Sequence, residues 1–353
     1  MQAIRAGLVG FGYAGRVFHA PVIRAVAGLE LAAIVQRHGD AARQAYPDVR
    51  VVRDLAALLA DDSIRLVVIA TPNGSHHELA RQCLLAGRDV VVDKPFTVTS
   101  SEARDLVELA GARGRLLSVY QNRRWDGDFL TLRELLGGGT LGRVVRFESR
   151  YDRYRARRRP AAWRESDAPG SGILFDLGPH LLDQALVLFG MPHAVTADIR
   201  LERDDSVVDD AFDILLDYPN LRVLLGATML ACAPGPRFLV HGTHGTYSKY
   251  GMDPQEHALQ TGGLPGTPGW GEEGEALWGT LTLAEDGSVA RRAVRTQPGD
   301  YRLYYANVRD AMAGSTQLAV TPPQALCVMR LLELARESSR CRITMDCAIE
   351  VLA

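Results

Sequence analysis

Gly10-Phe11-Gly12-Tyr13-Ala14-Gly15 is a GxGxxG segment set between a strand-like run and a helical stretch. At this spacing the glycines allow a tight turn, let backbone approach a pyrophosphate, and let helix pack on strand. The opening of the helix then presents free N–H groups and a positive dipole end to the phosphates. The chemistry expected of residues 10–15 is dinucleotide binding. Roughly 20 residues beyond the last glycine, an acid would bind a ribose 2′-hydroxyl and repel a 2′-phosphate. Here the chain reads Val35-Gln36-Arg37-His38, with no acid. Arg37 suits a 2′-phosphate, which it can pair bidentately, and it can stack on adenine. NADP(H) is therefore expected over NAD(H); the plainer reading makes Arg37 a solvated residue at a strand end. Lys94 follows another apolar run, and of 40 basic residues only Lys94 and Lys249 are lysine. In a chain that otherwise writes its cations as Arg, a retained Lys suggests a need for a point charge whose pKa can shift.

These residues need a scaffold, and the apolar runs supply one. Ile4–Val9, Leu29–Val35, Val49–Val52, Leu66–Ala70, Val90–Val92 and Leu116–Val119 alternate with helical stretches such as His76–Ala86 and Ser101–Ala112. Short β-rich runs separated by helices predict parallel strands joined by crossovers and buried on both faces. Residues 1–119 thus read as a doubly wound Rossmann domain of α/β class, with Lys94 at the strand edge where such sheets bind ligands. From residue 120 to 353 the texture changes. Arg143–Tyr154, Ala194–Glu202, Ala211–Tyr218 and Leu221–Leu230 alternate apolar and polar residues, predicting an open-faced, predominantly antiparallel sheet with helices on one face. Helices are expected around Phe129–Leu136, Pro179–Phe189 and Pro323–Ser338. The Gly- and Pro-rich stretch Asp253–Glu275 reads as a long loop, of the kind that serves as a lid or an assembly contact.

With 353 residues, 47% hydrophobic and 23% charged, the chain suits two globular domains and excludes fibrous, disordered and disulfide-scaffold classes. A formal net charge of −2 gives no global basic field for nucleic acid. No stretch reaches the roughly 18 apolar residues of a membrane span. The chain enters a strand at once, leaving no room for a signal peptide, and its five scattered cysteines lack a CxxC pair, so reduced thiols and a cytoplasmic location are expected.

Three further segments carry a resemblance. Ala70-Thr71-Pro72-Asn73-Gly74-Ser75-His76, then Val91-Val92-Asp93-Lys94-Pro95-Phe96, then Gly170-Ser171-Gly172-Ile173-Leu174-Phe175-Asp176-Leu177-Gly178-Pro179-His180 follow the glycine motif in order. Together they resemble the glucose–fructose oxidoreductase / inositol dehydrogenase / MocA (Gfo/Idh/MocA) family over essentially the whole chain. Asp93 stands where Glu is commoner, and Ser171 where many members have a second Gly. Tyr120-Gln121-Asn122-Arg123-Arg124-Trp125-Asp126 further resembles the subgroup that includes NADP-dependent scyllo-inositol dehydrogenases.

The resemblance implies hydride transfer between nicotinamide and a secondary alcohol or ketone of a cyclic polyol or sugar derivative. Such a reaction needs a base for the hydroxyl proton. His180 is the candidate. Read as following a helix opening at Gly178-Pro179, it would be kept neutral by the helix dipole. Asp176 would orient the ring or bind a hydroxyl, and Lys94 would hydrogen-bond the reacting oxygen and touch the cofactor. The resemblance also implies a cis bond before Pro95. It assigns Thr71, Pro72, Asn73, His76 and Gln121 to the cofactor side, and Trp163 and Arg164 to a pair near the cofactor or substrate. Asn122 and Arg123 offer hydrogen bonds suited to polyol hydroxyls, and Tyr305 is placed to reach the substrate. A helix packing face explains Tyr305 equally well. No metal is expected, because no ligand spacing such as HExxH occurs. The run Arg153, Arg155, Arg157, Arg158 and Arg159 lacks a nucleic-acid module and reads as a solvated loop or an anionic-substrate contact. A small-molecule substrate and a homodimer or homotetramer are the expected partners. A protein that senses the nucleotide without turning it over, and a reductase of a non-sugar ketone, dihydrodiol or tetrapyrrole, are the competing readings.

Overall fold

Residues 3–159, 163–285 and 288–347 are described by a computed structural model. The six apolar runs near the start become strands β1 (Ile4–Val9), β2 (Leu29–Val35), β3 (Arg50–Val52), β4 (Ile64–Ile69), β5 (Asp89–Val92) and β6 (Leu117–Val119). They form one parallel sheet in the order β3-β2-β1-β4-β5-β6. Ala6, Leu8, Leu66, Val67, Val68, Val90, Val91 and Val92 have no exposed surface, as expected of strands covered on both faces. The crossovers are α1 (Ala20–Arg24), which continues a π-helical turn over Gly15–His19, then α2 (Ala41–Ala45), α3 (Leu55–Leu59), α4 (His76–Leu85) and α5 (Ser100–Arg113). A capping box between Thr99 and Glu102 opens α5, and Gly114 in the left-handed region closes it.

The later chain forms α6 (Gly127–Gly137), β7 (Val144–Arg150), α7 (Ile173–Phe189), β8 (Ala194–Arg200), β9 (Ala211–Tyr218), β10 (Leu221–Thr228), β11 (Phe238–Gly242) and β12 (Gly245–Lys249). There follow α8 (Gln255–Gln260), β13 (Gly279–Glu285), β14 (Ser288–Val294), α9 (Arg302–Met312), α10 (Pro322–Cys341) and β15 (Met345–Asp346). Among the described residues the strands make a nine-stranded sheet, β14-β13-β12-β11-β7-β10-β9-β8-β15. Only its β7–β10 pair is parallel. Along β9, Ile214 and Leu216 are buried while Asp213 and Asp217 are exposed, the alternation that predicted one covered face. Helix α7 packs on β9 and β10. The opposite face carries charged pairs: Arg146 with Glu148, Arg150 with Asp213, and Asp198 with both Arg200 and Arg342.

The chain divides into two compact units, but by interleaved segments. The first holds Met1–Trp125, Gln255–Trp270 and Asp300–Leu326; the second holds Asp126–Pro254, Gly271–Gly299 and Cys327–Ala353. A single division between residues 119 and 120 was expected. The difference arises because 255–270 and 300–326 pack with the parallel-sheet unit, which side-chain periodicity does not reveal. The stretch Asp253–Glu275 is also not a structureless loop. It contains α8, anchored by the buried Gln255, whose side chain bonds Trp125 O (3.1 Å), Tyr301 N (2.8 Å) and Trp270 Nε1 (3.2 Å).

Candidate active site

In the first unit the candidate residues stand at the C-terminal ends of adjacent strands. Gly10 follows β1, Thr71 follows β4, Lys94 follows β5 and Gln121 follows β6. Backbone bonds tie the strand ends together: Ala70 N to Val9 O, Asp93 N to Ile69 O and Tyr120 N to Val92 O, each 2.8 Å. The parallel topology thus collects four sequence-distant motifs on one edge.

The glycine segment fits a dinucleotide. Gly10 has φ +101°, and a Cβ there would lie 2.6 Å from Ala70 O. A Cβ on Gly15 would collide with Gly10 O. At Gly12 a Cβ would meet nothing within 4 Å, so that side of the backbone is open to a ligand group. Phe11 packs edge-on against Tyr46, and Tyr13 is 45% exposed with its hydroxyl accepting from Gln260 Nε2 at 2.6 Å. Arg37 is exposed just past β2. The nearest acid, Asp40, is held by Arg53 (2.9 Å), which also donates to Gln36 O and Gly39 O and so shapes the turn that carries Arg37.

The remaining members of this group divide into exposed and buried. Pro72 is exposed, Thr71 and Lys94 are half-buried, and Asn73 lies in a short 3₁₀ turn over Asn73–Ser75. The Ser75 hydroxyl donates to Thr71 Oγ1 at 2.8 Å. The Lys94–Pro95 bond is cis. His76 was expected beside the cofactor but has no exposed surface. Its ring is clamped between Pro95 O and Thr71 O, both at 2.9 Å, so it joins two site loops from behind. Burial pushes its imidazole below the ordinary value. Gln121 and Asn122 are buried, and Arg123, expected to meet substrate hydroxyls, is paired with Glu256 of α8. Tyr305 is wholly buried, with its hydroxyl 2.6 Å from His19 Nδ1. Here the packing reading is the right one.

In the second unit Asp176 and His180 lie on α7, four residues apart and therefore on one helix face. Trp163 and Arg164 open a 3₁₀ turn, with the Arg164 guanidinium over the indole at 4.6 Å and its Nε 3.4 Å from Asp176 Oδ1. Trp163, Arg164 and Asp176 are thus one cluster. The expected helix opening at Gly178-Pro179 is not found: α7 begins at Ile173, Pro179 lies inside it, and His180 sits in its second turn. The N-terminal dipole therefore cannot be the reason for a neutral His180. The actual start is set by Asp209, distant in sequence, whose Oδ2 accepts from Leu174 N at 2.7 Å and whose carbonyl accepts from Ile173 N at 2.8 Å. Gly172 has φ +91°, and a Cβ there would collide with the Asp209 carboxylate.

Part of the basic run folds onto a buried acid. Glu165 lies 3.4 Å from Arg155, accepts from Arg159 N at 3.0 Å, and faces Arg203 at 3.2 Å; Arg203 also pairs with Asp210 at 2.8 Å. Burial alone would raise Glu165 and Asp210, but the N–H donors and guanidinium groups around them hold both below the usual carboxylate range. Lys249 is also structural, fully buried with its Nζ 3.1 Å from Glu273. Neither network shows in local patterning, since their partners are 6 to 38 residues apart.

A parallel sheet with a glycine turn, followed by a mostly antiparallel sheet with a DxxxH-bearing helix, defines a two-domain oxidoreductase class. Residues 4–121 match the family model described as oxidoreductase family, NAD-binding Rossmann fold, and residues 133–345 match its C-terminal alpha/beta domain. The chain belongs to the Gfo/Idh/MocA oxidoreductase family. It is 47% identical to the uncharacterised oxidoreductase YdgJ of Escherichia coli over 97% of this chain and 98% of that one. It is 36% identical to scyllo-inositol 2-dehydrogenase (NADP(+)) IolW of Bacillus subtilis over 96% and 95%. The solved structure of yvaA from Bacillus subtilis superposes with a TM-score of 0.95 at 36% identity, covering 98% of each chain.

Proposed function

We propose that this oxidoreductase uses NADP(H) to interconvert a secondary alcohol and a ketone on a cyclic polyol or sugar derivative. The observation that carries the cofactor choice is the turn after β2. Arg37 is exposed there and the nearby Asp40 is already engaged by Arg53, so a 2′-phosphate would meet a cation without a competing free carboxylate. Near-full-length similarity to a protein named as an NADP(+)-dependent scyllo-inositol dehydrogenase supports the substrate class.

The nicotinamide, when bound, accepts or supplies the hydride. In the oxidative direction the His180 imidazole takes the hydroxyl proton as the carbonyl forms, and in reduction it returns that proton. The Lys94 ammonium donates a hydrogen bond to the reacting oxygen, on which charge develops. Asp176, near Arg164, orients the imidazole or binds a neighbouring hydroxyl. Residues 10–15, Thr71, Pro72, Asn73, Gln121, Trp163 and Arg164 hold the cofactor, and Asn122 contributes to the substrate side. His76 and Tyr305 act from behind these loops, as their burial requires.

The protein would work in the cytoplasm as a homodimer or homotetramer. Light scattering tests this; a monomer at micromolar concentration contradicts it. The function itself is tested by NADP+ and NAD+ reduction over a panel of inositols and sugars. Turnover with polyols and a clear NADP+ preference support it, and equal use of the two cofactors overturns the cofactor assignment.

A further inference from the structure

Directly behind Lys94 lies a buried chain of polar side chains that the proposed chemistry does not use. Asp93 is 7% exposed; its Oδ1 accepts the Lys94 backbone N–H at 2.8 Å and lies 3.6 Å from His19 Nε2. His19, in the π-helical turn before α1, has no exposed surface, and its Nδ1 lies 2.6 Å from the Tyr305 hydroxyl. Tyr120 seals the cluster, its ring 4.4 Å from that of His19 and 5.5 Å from that of Tyr305.

The chemistry of these groups fixes where the protons lie. Burial pushes the Tyr305 phenol well above its ordinary value, so it keeps its proton. Among the described residues, its hydrogen-bond partner is His19 Nδ1. The phenol therefore donates to Nδ1, which leaves the imidazole proton on Nε2, facing the Asp93 carboxylate. We infer that His19, locked in this tautomer by Tyr305, is a positioning residue that holds the Asp93 carboxylate against the Lys94 backbone N–H and so fixes the turn that carries Lys94.

The other groups around this chain do not replace it. Tyr304, on α9 beside Tyr305, donates to Ser118 Oγ at 3.0 Å. Tyr120 donates to Phe18 O at 3.1 Å, and His76, on α4, is held by two carbonyls. Arg124, after β6, binds Ala319 O and Gln324. Burial alone would raise the Asp93 carboxyl. The contact with His19 and the nearby Lys94 charge hold it below the usual range. Without the Nε2 proton facing it, the Asp93 carboxylate loses one of the groups that fix its orientation, and its hold on the Lys94 backbone N–H loosens.

This inference rests on the reading of Lys94 as the donor to the reacting oxygen, so the test separates the two. The kcat and the KM for NADP+ are compared for the unmodified protein, Tyr305→Phe, Tyr304→Phe and Lys94→Ala. Tyr304→Phe removes an equally buried hydroxyl from the same cluster and controls for packing. The expected result is that Tyr305→Phe lowers kcat about 10-fold with KM for NADP+ unchanged, while Tyr304→Phe changes neither. Equal behaviour of the two variants overturns the inference. Turnover retained in Lys94→Ala overturns the reading of Lys94 instead. A second readout needs neither activity nor variants that fold: ¹⁵N NMR of His19 in the cofactor-free, full-length chain. The Nε2–H tautomer is expected; an Nδ1–H tautomer refutes the lock.

Discussion

The two units present their candidate residues in different ways. In the first, Gly10, Thr71, Lys94 and Gln121 come from four loops, each fixed by the end of a buried parallel strand. In the second, Asp176 and His180 come from one helix, and their position depends on where that helix begins. A loop at a strand end inherits its place from topology, so its local motif is readable in isolation. A helix register is set by whatever caps it, and α7 is capped by Asp209, more than 30 residues downstream of Gly172, which it meets.

Substitutions test this contrast, beginning with the largest effects. Lys94→Ala and His180→Ala are each expected to lower kcat by about 10²–10⁴-fold, read by steady-state NADP+ reduction, while NADPH still quenches or enhances protein fluorescence on binding. A loss confined to one variant would mean that only one unit supplies reactive groups. In the second unit, Asp210→Ala leaves the buried Arg203 guanidinium with Glu165 as its remaining acidic partner, and urea denaturation should show a loss of about 1.5–3 kcal/mol. Glu165 and Asp210 have folded-state pKa values below their unfolded ones. Their stabilisation is therefore complete above the unfolded carboxylate range, near pH 4, and is lost as pH falls through the depressed folded values. Asp210→Asn should flatten that acid limb in melts recorded against pH; an unchanged slope would assign it elsewhere.

Arg37→Ala should weaken NADP+ binding by about 10–100-fold, the worth of hydrogen bonds to a charged group, and leave NAD+ unaffected. Parallel losses for both cofactors would return Arg37 to an ordinary strand-end residue. The smallest effect expected is for Asp209→Ala, which removes the side-chain cap of α7 at a cost of about 1 kcal/mol, visible as a lower Tm. No change in Tm would leave the start of α7 without an explanation.

The same contrast decides what was legible in the sequence. The six strands of the parallel sheet were placed within a residue or two, because strands buried on both faces are continuous apolar runs bounded by turn residues. Strands β7 to β10 followed from alternation. Strands β11 to β14 were not anticipated; β14 is nearly all exposed, so it carries no burial pattern to read. The glycine turn, Lys94 and the Asp176–His180 spacing were visible as motifs. The roles of His76, Tyr305 and Arg123 were not, because a side chain's direction depends on partners brought from elsewhere: Pro95 for His76, His19 for Tyr305, Glu256 for Arg123. Pro179 misled in a specific way. Proline favours a first turn, yet here α7 carries it in its interior.

The most direct measurement is NADP+ reduction by the purified protein over inositols, sugars and sugar lactols, with His180→Ala run in parallel. Turnover with a cyclic polyol that disappears in His180→Ala while NADPH still binds is the predicted result. Turnover that survives in His180→Ala, or tight NADPH binding with no polyol, sugar or ketone converted in either direction, would contradict it.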